Sequence, residues 1–115
     1  MACVQSLTVP KYPIIARAAR VIGEVRTTIV IPASAGPAEI KLEGPAMLTS
    51  ALKGPLAEAK FFTQCAGRMV KLVFRFQLSG VESENPQEKL TFSYPNVFVI
   101  VSDLTPVQTI TTDLR

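Results

Sequence analysis

The sequence predicts an α+β domain of two layers, an antiparallel sheet with two short helices on one face, and three observations carry that prediction. Val70, Leu72, Phe74, Phe76 and Leu78 alternate with Met69, Lys71, Val73, Arg75 and Gln77, the period of a strand with one dry face and one wet face. Two other segments, after Pro13 and after Pro45, carry apolar residues at helical spacing or residues that favour helix. Clusters of Pro and Gly separate these segments, so the chain reads helix, strand, strand, helix, strand and then further strands.

A chain of 115 residues and 12.5 kDa is one domain in size. Its apolar fraction of 48%, charged fraction of 18% and mean hydropathy of +0.31 predict a folded chain, because disordered chains are poor in apolar residues and rich in charge. Histidine is absent and the two cysteines stand 62 positions apart, which removes the commonest general base and any Cys-rich metal site. No metal or cofactor is expected. No pair of carboxylates is visibly held in a dry cleft, since Glu39 and Glu43 fall on a wet strand face and Glu82, Glu84 and Glu88 crowd a loop. The chain therefore reads as no enzyme. Net charge is +3 without a Lys/Arg cluster or any Trp, so no nucleic-acid partner is expected. The longest apolar runs, around Val97–Val101, are far short of the roughly 20 residues of a membrane helix. The first twelve residues lack an apolar core, so no leader is visible.

Taken in order, Met1 to Lys11 reads as an extended arm, because Pro10 and Pro13 disfavour helix before them. Pro13 suits a first helical turn, and Ile14, Ile15, Ala18, Val21 and Ile22 then form an apolar stripe with Arg17 and Arg20 opposite; Gly23 ends this helix of about ten residues. Glu24–Ile31 is rich in β-branched residues, Pro32–Pro37 is a turn cluster, and Ala38–Glu43 alternates, which predicts a hairpin. Ala46–Phe62 favours helix but should break at Gly54-Pro55, leaving its better half from Pro55 to Phe61, since interior proline costs about 3 kcal/mol. The long strand Arg68–Ser79 follows, then a polar loop Gly80–Glu88, a strand Lys89–Tyr94, a turn at Pro95-Asn96, and Val97–Ser102, apolar at every position but the last. The tail from Pro106 to Arg115 reads as an added edge strand or as unstructured chain.

Residues 10–78 resemble the C-terminal periplasmic domain of TonB, the energy-transducer family of Gram-negative envelopes. The opening Pro10-Lys11-Tyr12-Pro13-Ile14-Ile15-Ala16, with Gly23-Glu24-Val25 after it, is similar to that family's P-x-Y-P-x-x-A entry and G-x-V strand; Gly67 to Leu78 is similar to its last strand. Phe61 and Phe62 stand where the family has W-x-F, and about 35 residues follow the last matching strand, so the resemblance is to a divergent member with a strand extension. It implies three segments: an arm over 1–11, a TonB-like domain over 12–80, and a strand-rich extension over 81–115 packing on it.

The resemblance further implies a periplasmic or secreted protein-interaction module, with an outer-membrane receptor segment or other extended peptide as partner and TonB-dependent transport as its setting. In the family a short receptor peptide adds beside the strand that corresponds to Arg68–Ser79, which makes Met69, Lys71, Val73, Arg75 and Gln77 the candidate binding set. Tyr12 would join it through the arm, or simply pack on the sheet. Arg17, Arg20 and Arg26 form either a basic face toward peptidoglycan or an acidic receptor segment, or a solvated surface. The periplasm that the resemblance implies allows Cys3 and Cys65 to form a disulfide; the alternative is two unrelated thiols, with Cys65 a small buried apolar residue. The alternative function is a free-standing secreted module without a role in transport, in which Lys89–Tyr94 folds back beside Arg68–Leu78 and caps the binding edge. A sheet of this kind is also compatible with a strand-swapped homodimer.

Overall fold

Strict alternation makes β5 (Met69–Glu82) the longest strand, and its inward residues Leu72, Phe74 and Phe76 are the centre of the core. The computed structural model describes residues 3–34 and 36–104, so the tail from Pro106 to Arg115 lies outside them. The other elements are β1 (Val4–Ser6), α1 (Ile14–Ala18), β2 (Gly23–Val30), β3 (Glu39–Glu43), α2 (Ala46–Glu58), β4 (Lys60–Phe61), β6 (Glu88–Ser93) and β7 (Val97–Leu104), with a 3-10 turn at Thr63–Cys65. The described residues are thus mixed α and β, with two helices and a five-stranded sheet ordered β3-β2-β5-β7-β6; β1 and β4 pair separately.

The β2–β3 hairpin forms as its β-branched and alternating residues predict. The C-terminal strands differ from expectation. β7, not β6, lies beside β5, and it runs parallel to it, with Val73 opposite Val97 and Leu78 opposite Ser102. β6 pairs antiparallel with β7 and takes the edge. Both faces of β7 are apolar, Phe98 and Ile100 buried on one and Val97, Val99 and Val101 half-buried on the other, which suits a strand inside a sheet. β6 carries Lys89, Thr91 and Ser93 on one face, which suits an edge. The polar loop between β5 and β6 crosses the end of β7, where the Ser83 N–H donates to the Leu104 carbonyl at 2.9 Å.

α2 runs unbroken through Pro55. Leu48, Leu52 and Leu56, four apart, are all buried on one side of it. At roughly 1.5–3 kcal/mol each, they outweigh the roughly 3 kcal/mol of an interior proline. α1 is five residues, half the expected length. It ends where Arg20 adopts φ 59°, with the Val21 N–H donating to the Ala16 carbonyl at 2.8 Å and the Arg20 N–H to the Arg17 carbonyl at 3.1 Å, a Schellman closure. Its sides are also reversed: Ile14 and Ile15 are 78% and 70% exposed, whereas Ala16 and Arg17 face inward.

Neither the arm nor the extension is an appendage. Cys3 and Pro10 are buried, Val4 and Leu7 pack on the core, and Phe98 and Ile100 belong to that core. Phe98 stacks on Phe74 at 5.1 Å, and Tyr12 meets Phe76 edge-on at 5.5 Å. Between β3 and α2 the chain passes tightly over β2: a Cβ on Gly44 would sit 2.7 Å from the Glu24 carbonyl oxygen. Gly44→Ala is therefore expected to destabilise by about 1–3 kcal/mol in urea unfolding, because the obstacle is backbone that cannot turn aside.

Candidate functional site

Arg17 is 8% exposed, and buried guanidinium must find partners. Its Nη2 lies 2.7 Å from Glu88 Oε2 and its Nε donates to Ser102 Oγ at 2.9 Å. The Tyr12 N–H donates to the same Glu88 oxygen at 2.8 Å, so α1, β6 and β7 are tied at one point. Arg17 accordingly belongs to no basic face. Arg20 is exposed at the end of α1, and Arg26 lies on the sheet face turned away from the helices, opposite Glu43. The three arginines do not form one surface.

Tyr12, 2% exposed, is likewise no partner contact: its ring packs on the sheet and its hydroxyl donates to the Val21 carbonyl. Burial raises its pKa above the ordinary 10.0, with the positive charge of Arg17 pulling the other way. The unfolded chain thus ionises first as pH rises, so Tyr12 leaves stability unchanged below pH 10.0 and lowers it above. Tyr12→Phe is expected to show a shallower loss of stability on the alkaline side, read from urea midpoints taken across that range.

Met69, Lys71, Val73, Arg75 and Gln77 share the face of β5 opposite the core, as alternation requires. They do not border a free edge. Residues 73–76 pair with β2 on one side and β7 on the other; Met69 and Lys71 pair with β2, and Gln77 with β7. Asn96 Nδ2 also donates to the Lys71 carbonyl at 3.2 Å. Arg75 Nε is held 2.7 Å from Glu24 Oε2 on this open face. Strand addition beside β5 would require displacing one of its partners, because an interior strand has spent its backbone groups in two ladders.

Among the described residues the edges of the sheet are β3 and β6. Ile31 exchanges backbone bonds with Gly67 and Arg68, so odd residues of β2 face β5 and even ones face β3. In the β2–β3 register, Glu39, Lys41 and Glu43 therefore bond inward and the backbone groups of Ile40 and Leu42 point out from the sheet. The same parity argument turns Glu88, Leu90 and Phe92 outward on β6. The Glu88 end of β6 is engaged by Tyr12 and Arg17. β3 instead adjoins open space: a recess of about 480 Å³ against α2, lined by Ile40, Leu42, Thr49, Lys53 and Leu56. Ile40 and Leu56 also line a neighbouring hollow of about 840 Å³ that reaches Pro37, Phe61 and Phe62. The alternation of 38–43 made this strand legible, but which strand is outermost depends on pairing that no local pattern records.

Cys3 and Cys65 are bonded, with Cα atoms 5.9 Å apart. Among the described residues no group of three His, Cys, Asp or Glu side chains is placed to hold a metal ion, and no helix is long and apolar enough to cross a membrane. No protein-family model, curated protein or solved structure matches this chain.

Proposed function

We propose that this chain is a TonB-like protein-interaction module of the periplasm or another oxidising compartment, which binds an envelope partner by adding that partner's extended segment to its sheet. One observation carries the reading: β3 offers outward backbone groups beside a recess lined by Ile40, Leu42 and Leu56 together with Thr49 and Lys53, the arrangement that strand addition uses for affinity and for side-chain pockets. The bonded Cys3–Cys65 pair supports the compartment, since disulfides persist where thiols are not kept reduced. Capture from a Gram-negative envelope extract on the oxidised chain, followed by hydrogen exchange on the captured complex, tests it. Slowed exchange at the β3 or β6 edge is expected. Protection confined to the α1 surface or the open face of β5 would overturn strand addition.

A second reading has a specific observation in its favour. β7 and β6 cover the side of β5 that the resemblance makes the receptor-binding edge. A free-standing secreted module without a role in transport accounts for that cap directly. An outer-membrane receptor recovered at the edge favours the transport setting; any other envelope protein recovered there favours the free-standing module.

A further inference from the structure

We propose that the free edge of β3 selects an extended segment of a different protein, one carrying basic, acidic and basic side chains at alternate positions with apolar side chains between them. This rests on the strand-addition reading above and names its edge and its partner's chemistry. Glu39, Lys41 and Glu43 are exposed on the open face of the sheet, while Ile40 and Leu42 point to the recess against α2. In a sheet, residues directly opposite each other share a face, and opposite charges there attract whereas like charges repel. An incoming antiparallel strand would therefore meet Glu39, Lys41 and Glu43 best with a basic, an acidic and a basic residue. Its two intervening residues would face Ile40 and Leu42 beside the recess of about 480 Å³.

The same pattern discriminates against a second copy of this chain in the fully overlapping register. Two β3 strands set antiparallel about Lys41 would lay Lys41 on Lys41 and each Glu39 on a Glu43, three like-charged rows. A copy slipped by two residues, centred on Ile40, would gain two Glu39–Lys41 rows but give up full overlap, so only a heterologous strand can satisfy all three charges at once. β6 lacks this selectivity, because Lys89 is the lone charge among Lys89, Thr91 and Ser93 on its open face.

The test uses the full oxidised chain and three synthetic peptides with cores Lys-Val-Glu-Val-Lys, Glu-Val-Lys-Val-Glu and Gln-Val-Gln-Val-Gln, titrated while backbone amide resonances are followed. The first is expected to bind at least about tenfold more tightly than the second, with the neutral peptide between them and the largest shifts at the Ile40 and Leu42 amides. The triple variant Glu39→Lys, Lys41→Glu, Glu43→Lys should invert the ranking; should it fail to fold, the ranking on the natural chain decides. Equal binding of the two charged peptides, shifts centred on β6, or no binding at millimolar peptide would overturn the inference. A captured envelope protein with its footprint on β6 would sink this inference and leave the strand-addition reading standing. Partners that protect neither edge would remove both.

Discussion

Arg17→Ala is expected to destabilise the protein by about 3–5 kcal/mol, the range for removing one partner of a buried ion pair. The pair qualifies because the two side chains are only 9% and 15% exposed, so water replaces the lost guanidinium poorly at the Glu88 carboxylate. Of the contacts at Glu88 Oε2, the variant would leave the Tyr12 N–H alone. Ser102 Oγ would lose its donor as well. Domains of this size are stable by only about 5–15 kcal/mol, so the single change removes a large share of the total. Replacing both charges, Arg17→Met with Glu88→Leu, is expected to cost much less than either single change, because no charge is then left buried. Urea unfolding of the parent, two singles and the double closes the cycle. A loss below about 1 kcal/mol for Arg17→Ala would show that the pair is solvated and holds nothing together.

The strands were legible in the sequence and the strand order was not. Alternation from Val70 to Leu78 predicts which side chains of β5 lie inside, and Phe74 and Phe76 are fully buried. The apolar stripe of α1 misleads for a physical reason. Its outward isoleucines and inward arginine are decided by Glu88 and Ser102, some seventy or more residues away, and local periodicity carries no trace of them. For β7 a signal was present: an apolar run at both parities marks an interior strand, yet adjacency in sequence favoured β6 as the neighbour of β5. That one exchange relocates the candidate site. With β5 enclosed, the strand whose alternation looked ordinary, Glu39–Glu43, becomes the rim that a partner can reach.

Replacing Cys3 and Cys65 by serine is expected to lower stability by about 4 kcal/mol in the chain-entropy view of a closed loop, given their separation of 62 residues. At about 4–8 °C per kcal/mol, the melting temperature should fall by roughly 15–30 °C. The loss has a local component too. The bond anchors the first end of a strap whose other end is held by Tyr12 at Glu88, and β1, three residues paired with two, is too short to hold itself. Hydrogen exchange in the oxidised and serine forms separates the two effects. Faster exchange at Val4–Ser6, Lys60 and Phe62 with slow exchange kept at the centre of β5 would be local release; a uniform rise would be the global term. Phe62 is the sharpest reporter, because its N–H donates to the Cys3 carbonyl at 2.9 Å beside the crosslink. A melting temperature unchanged within a few degrees would mean that the packing of Tyr12, Pro10 and Leu7 already fixes the strap without the bond.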